Sequence, residues 1–363
     1  MSSKTHGRAD LQILLVPGRD INEVNSPRGA AMQQFWDSGI QFIVSFQAYS
    51  WLATPMKFFS FMGSELFYVF LLPVLYWSVD SALGLRIGFI LLFNTWLNEF
   101  FKVLFHEPRP YWYSTEVKAY ANETSFGLPS GHSQTAVAVW GMIAYYVKRP
   151  WVWVVTIALM ILIGLSRIFL GVHFPTDVLV GWLIGGILLF CFIKFWDPVA
   201  AWLKRLTFAQ QILVAFLVSL GFIGTMQLAI LLLGDWTIPQ EWLANAAVGF
   251  PEGPAPDPLN INGVVSMAGI LFGLSLGLAW TTRRGGFSAD GTFLQRCARF
   301  LVGLVGILIL YVGLKLIFPS GKELLPNTLR YLRYGLVGVW VSAGAPWLFI
   351  RMKLAKPSQD SID

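Results

Sequence analysis

Apolar runs close to the roughly 20 residues that carry a helix across a bilayer recur along most of this 363-residue chain. They fall near residues 56–79, 83–105, 133–148, 151–168, 178–196, 209–234, 261–281, 298–318 and 331–350. Runs so closely spaced leave no room for a separate soluble core, so the spans themselves must be the fold. The predicted class is all-α and integral to the membrane, with about nine transmembrane helices. A composition 55% hydrophobic and only 13% charged excludes an ordinary soluble enzyme of this length.

Residues 1–54 read as an N-terminal tail and an interfacial amphipathic helix. The stretch 35–54 mixes Asp37, Gln41 and Gln47 with aromatic residues, a pattern suited to lying at a membrane surface rather than crossing it. No cleavable signal pattern precedes it, and the apolar run from Leu11 to Val16 is too brief for a span.

The net charge of +6 does not call for nucleic acid, because the basic residues lie mostly in short loops that orient spans. With nine spans, Arg86, Lys148, Arg149, Lys194, Lys204, Arg205, Arg283, Arg284, Arg296, Arg299, Arg351, Lys353 and Lys356 share one side with the C-terminus. That side is expected to be cytoplasmic. The loop 235–258, on the other side, carries Asp235, Glu241, Glu252 and Asp257 and no Lys or Arg. Cys191 and Cys297 sit in or beside apolar runs and suggest neither a disulfide framework nor a metal site.

Three polar segments interrupt this pattern. KVLFHEPRP closes the second span with Lys102 and Arg109, and its prolines stop the helix. LPSGHSQTA opens the third, with Ser130 as an N-cap, Gly131 allowing close backbone approach and His132 in the first turn. SRIFLGVHFPTD links the fourth to the fifth and holds Arg167, His173 and Asp177. Two crossings separate the first segment from the third, so all three meet on one face, opposite the basic loops and hence extracytoplasmic or lumenal. Three cations around a helix N-terminus make a phosphate site. His173 is suited to attack phosphorus if its other ring nitrogen donates to Asp177, and His132 to protonate the leaving oxygen and then activate water.

These segments resemble the three signatures of the type 2 phosphatidic acid phosphatase superfamily, KxxxxxxRP, PSGH and SRxxxxxHxxxD, complete and in order. The resemblance implies that Lys102, Arg109, Ser130, Gly131, His132 and Arg167 hold phosphate, that His132 also acts as acid, and that His173 forms a phosphohistidine supported by Asp177. It implies no metal and no other cofactor. The family core would comprise the first five spans, residues 55–197, and residues 198–363 would add spans six to nine and a C-terminal tail. The crossing count, PRPYW at 108–112 and GIQ at 39–41 are similar to the glucose-6-phosphatase branch.

The expected partner besides the bilayer is an amphiphilic lipid phosphate or diphosphate, with a soluble sugar phosphate as the alternative. A transporter or flippase would keep its polar groups near mid-membrane, and a silent phospholipid binder would be expected to lose His173 or Asp177. Among the remaining polar residues, Glu99 is expected to pair with Lys102 one turn away, and Glu65, Asn94 and Asn98 must find partners within the spans. His106 reads as a solvated loop residue and His6 as idle. Tyr111, Trp112 and Tyr113 read as a headgroup-level belt, and Asn122, Glu123 and Thr124 form a glycosylation sequon.

Overall fold

A computed structural model describes residues 27–358. The N-terminal stretch with His6, Arg8 and Arg19 lies outside the described residues. Those described are helical, with no strand among them. The chain runs through α1 (Pro27–Gln47), a 3-10 turn (Ser50–Leu52), α2 (Ala53–Phe61) and α3 (Glu65–Val74), which continues into a π turn (Leu75–Val79). There follow α4 (Ser81–Phe105), the short α5 (Pro110–Tyr113), α6 (Gly131–Val147), α7 (Pro150–Phe169), α8 (Pro175–Arg205) and α9 (Phe208–Leu232). The last third holds α10 (Gln240–Gly249), α11 (Asn262–Thr282), α12 (Phe293–Ile317), α13 (Leu324–Val339), a π turn (Trp340–Gly344) and α14 (Ala345–Arg351).

Among the described residues, six segments are long and apolar enough to cross a membrane: Ser81–Tyr113, α7, α8, α9, α11 and α12. The pair Ser50–Phe61 and Glu65–Val79, bent by 46°, would make a seventh. Two of the nine expected spans take other forms. The third is α6, fixed between the Ser130 cap and a left-handed Lys148. Its 17 residues reach only about 25 Å at 1.5 Å each, short of a hydrocarbon core of roughly 30 Å. The ninth is broken by the π turn between α13 and α14.

In the first half, α6 packs against α4, α7 and α8. On α8, Gly181 lies so near the Ser130 carbonyl that a Cβ there would sit 2.7 Å from its oxygen. The space a side chain would fill thus brings the start of α6 onto the start of α8, where the Ser130 amide donates to the Asp177 carbonyl at 2.9 Å. In the second half, α11 and α13 approach as closely, with Gly273 against the Gly335 carbonyl. Gly269, Gly273 and Gly277, at four-residue spacing, make that seam of α11. The halves join where α4 meets α9 and α11.

The loops sort to the two ends of the bundle. At one end, Asn122 Nδ2 donates to the Pro254 carbonyl at 2.9 Å, the Asp257 amide to the Thr124 carbonyl at 2.9 Å and Lys322 pairs with Asp257 at 2.6 Å. At the other, Ser78 Oγ donates to the Arg296 carbonyl at 2.9 Å, Arg283 to the Leu206 carbonyl at 3.2 Å and the Ser288 amide to the Lys356 carbonyl at 2.9 Å. The basic loops gather at this second end. Arg299, counted with them, is fully buried and donates to the Ser288 and Ala289 carbonyls, so it ties a loop down rather than facing a headgroup.

Candidate active site

The site forms at the first end, where α4 stops. His106 closes α4 in the left-handed region at φ 42°, and the chain turns through Pro108 so that Arg109 points back under the loop 114–130. Arg109 is 1% exposed and every donor of its guanidinium is engaged. Nε donates to the Ser125 carbonyl at 2.6 Å, Nη2 to Ser125 Oγ at 3.2 Å and Nη1 to the Val172 carbonyl at 2.9 Å. Nη1 also lies 3.3 Å from His173 Nε2.

That last contact fixes the imidazole. A guanidinium nitrogen can only donate, so His173 Nε2 must accept and Nδ1 must carry the proton. Nδ1 lies 3.1 Å from Asp177 Oδ2, which also accepts the Phe174 amide at 2.9 Å. The nitrogen with a free electron pair therefore faces the cations. Burial holds the His173 pKa well below the ordinary histidine range, and Arg109, Arg167, Lys102 and His132 act in the same direction. The ring is neutral at neutral pH, as a nucleophile requires.

Lys102 Nζ donates to Ser125 Oγ at 2.8 Å and pairs with Glu99 at 3.0 Å, the pair expected from their spacing. Arg167, 2% exposed, reaches Ser60 Oγ at 2.6 Å and pairs through Nη2 with Glu123 Oε1. The other oxygen of Glu123 lies 3.7 Å from Arg109 Nη2. One carboxylate thus bridges the two arginines. Burial alone would raise its pKa, but Arg109 and Arg167, helped by His132 and Lys102, outweigh that and hold it well below the usual carboxylate range.

Ser130 caps α6, its Oγ accepting from Ser133 Oγ at 2.9 Å. Gly131 gives room to Asn98, whose Oδ1 would lie 2.9 Å from any Cβ there. Asn98 Nδ2 in turn holds the Pro129 carbonyl at 3.2 Å and Gln134 Oε1 at 2.8 Å, and Asn94 Nδ2 donates to Thr135 at 2.7 Å. His132 stands in the first turn, within electrostatic reach of Arg167, Glu123, Lys102 and Arg109. All eight residues singled out in the sequence therefore converge.

Three groups at the centre were not singled out as site residues. Glu123 was read only as the middle of a sequon, and Ser125 and Ser60 carried no signal, because single serines in a loop and a helix match no spacing rule. The aromatic belt is overturned for two of its members. Tyr111 and Trp112 are fully buried, with Trp112 lying 5.9 Å under the Arg109 guanidinium and Tyr111 hydroxyl donating to the Glu123 carbonyl at 2.9 Å. Tyr113 is half-buried and donates to Asp37 at 3.0 Å. Asn122 uses Nδ2, the atom a glycan would take, to hold the Pro254 carbonyl. His106 is half-buried and packs edge-on to Phe126 and Trp236.

Comparison with known proteins matches residues 83–201 to the PAP2 superfamily and residues 265–357 to the transmembrane extension of PAP2 superfamily phosphatases. The chain carries a PAP2 superfamily domain and the PAP2 transmembrane extension. It is a multi-pass membrane phosphatase of that group, as its three signatures suggest. Glucose-6-phosphatase 2 of Homo sapiens is 27% identical over 330 residues, covering 81% of this chain and 90% of the relative. Phosphatidylglycerophosphatase B of Bacillus subtilis is 40% identical over 85 residues, covering 21% of this chain and 41% of the relative. The crystal structure of a PAP2-type phosphatidylglycerolphosphate phosphatase from Bacillus subtilis aligns with a TM-score of 0.40 at 26% identity, covering 49% of this chain and 90% of that one.

Proposed function

We propose that this PAP2 phosphatase hydrolyses a phosphate ester through a covalent phosphohistidine on His173. The observation that carries the reading is the Glu123 carboxylate held between Arg109 and Arg167, the first of which also contacts His173 Nε2: an oxyanion already pairs with the cations a phosphoryl group would take. Arg167 Nε, buried without a hydrogen-bond partner, is a donor left for a further oxygen.

In the first half-reaction His173 Nε2 forms a bond to phosphorus while the bond from phosphorus to the ester oxygen breaks. His132, favoured as imidazolium by the dianion beside it, gives its proton to that oxygen, and the alcohol leaves. Asp177 accepts the Nδ1–H bond and offsets the positive charge that grows on the ring. In the second half-reaction neutral His132 takes a proton from water, whose oxygen attacks phosphorus; the P–N bond breaks and phosphate departs. The two arginines and Lys102 stabilise the charge spread over the equatorial oxygens in both steps. Each proton and electron pair is supplied by residues of this chain, the substrate or water.

For the substrate, the likeness to glucose-6-phosphatase 2 along nearly the whole chain, the extension included, favours a soluble sugar phosphate over the amphiphile first expected. The likeness to the Bacillus subtilis lipid phosphatase covers only 85 residues. A cavity of about 300 Å³ beside Glu99, lined by Glu65, Thr95, Asn262, Ser266, Arg330 and Tyr334, offers groups that pair with hydroxyls. Residues 55–197 form the catalytic core and 198–363 the added spans in this reading, and nine crossings set the site on the extracytoplasmic side, with the C-terminus cytoplasmic.

The test is phosphate release by the purified protein from glucose 6-phosphate, phosphatidate and a polyprenyl diphosphate, each with and without chelator, alongside His173→Ala. Chelator-resistant release that favours the sugar phosphate and vanishes in the variant is expected. Full activity of His173→Ala would sink the nucleophile assignment, and preference for phosphatidate would return the lipid reading.

A further inference from the structure

A second cationic site lies away from the catalytic cradle, between α12 and α13. Lys315, Arg330 and Arg333 line a cavity of about 170 Å³ together with Tyr311, Ser320 and Phe318. Arg333 is 7% exposed, and its Nε, like that of Arg330, is buried without a hydrogen-bond partner. Two tyrosines flank its guanidinium, Tyr311 at 5.4 Å and Tyr334 at 5.2 Å. Among the described residues no carboxylate lies within ion-pair distance of any of the three cations. Arg330 also borders the larger cavity that holds Glu65 and Glu99, yet it pairs with neither. Three cations gathered with no counter-charge, one of them almost wholly buried, are costly unless an anion joins them.

We infer that this pocket binds the phosphodiester headgroup of an anionic phospholipid. Its surroundings favour a lipid over free phosphate: Leu316, Ile317, Leu324 and Leu325, at the adjoining ends of the two helices, are 83, 75, 84 and 63% exposed. The flank of α12 leading away from the pocket is apolar and exposed at Leu301, Val305 and Ile309, a surface on which acyl chains can lie. A zwitterionic headgroup would bring its own cation toward three others and lose most of the attraction. The Lys322–Asp257 pair, with the Asp257 amide on the Thr124 carbonyl, ties the pocket's rim to the loop carrying Glu123. The lipid therefore belongs to the leaflet at the active-site end and buttresses that loop.

The experiment uses the full chain in a neutral detergent, with binding of phosphatidylglycerol, phosphatidylcholine and inorganic phosphate followed by native mass spectrometry and thermal melting. Phosphatidylglycerol is expected to bind and raise the melting temperature, and the other two to do so weakly. Lys315→Gln with Arg330→Gln, which leaves the buried Arg333 in position, is expected to weaken phosphatidylglycerol binding about thirtyfold, from roughly a fivefold loss per neutralised cation at a membrane surface. Arg333→Gln, a second variant that neutralises one cation, is expected to weaken it about fivefold. Unchanged affinity in the double variant, equal binding of phosphatidylcholine, or full reproduction of the shift by inorganic phosphate would overturn the assignment. None of these residues touches the cradle, so failure here leaves the catalytic reading standing.

Discussion

Replacing Glu123 by Gln tests whether its carboxylate competes with phosphate for the two arginines. It pairs with Arg167 and lies 3.7 Å from Arg109, and an incoming phosphate must break both contacts. A hydrogen bond to a charged partner contributes about 1.5–3 kcal/mol and a neutral one about 0.5–1.5, so the amide competes less by about 1–1.5 kcal/mol. At 1.4 kcal/mol per factor of ten, vanadate, a phosphate mimic, should inhibit Glu123→Gln about tenfold more tightly than the parent. Without vanadate the variant should also be less stable, because two buried guanidinium groups lose their counter-charge, and vanadate should restore the loss. Inhibition constants and melting curves of both proteins, each with and without vanadate, measure this directly. Equal or weaker inhibition of the variant would mean that the carboxylate does not block the cradle but helps build it.

Arg109→Lys and Arg167→Lys should each lower kcat/KM by a hundredfold or more, since the charge survives but the planar fork that meets two oxygens does not; near-parental rates in both would remove the clamp. Ser125→Ala deletes the hydroxyl that Lys102 and Arg109 share and should cost about 1–3 kcal/mol of transition-state stabilisation, seen as a fall in kcat/KM. Acid should act through His173 and Glu123. Both bind protons less readily folded than unfolded, so their stabilising contribution is complete above about pH 6.5 and drains away below it, the histidine first and the carboxylate below about pH 4.3. Melting temperature against pH should fall on the acid side and less steeply in Glu123→Gln below that second point; a flat profile would contradict the burial of His173 and the pairing of Glu123 with the arginines. Gly273→Leu, which drives a side chain into the Gly335 carbonyl, should destabilise by about 1–3 kcal/mol or more, while Gly263→Leu, with open space around it, should not.

The primary structure by itself determined the chemistry and the class of fold. Lys102, Arg109, His132, Arg167, His173 and Asp177 stand at spacings set by helix ends and turns, and such local geometry survives in a one-dimensional pattern. Span order carried the convergence of the three signatures too, because two crossings return a chain to the same face whatever the packing between. Tertiary structure decided what depends on contacts between distant segments. Glu123 and Ser125 earn their roles only because the loop that holds them folds over Arg109, and Tyr111 with Trp112 become a buried wall because α1, α7 and α10 close around them. The short α6 and the interrupted last span have the same origin: a cap at Ser130 shortens one crossing and a π turn at Trp340–Gly344 interrupts another. Lys315, Arg330 and Arg333 belong to two helices, and only packing that brings them together without an ion-pair partner turns three ordinary span-end cations into a pocket.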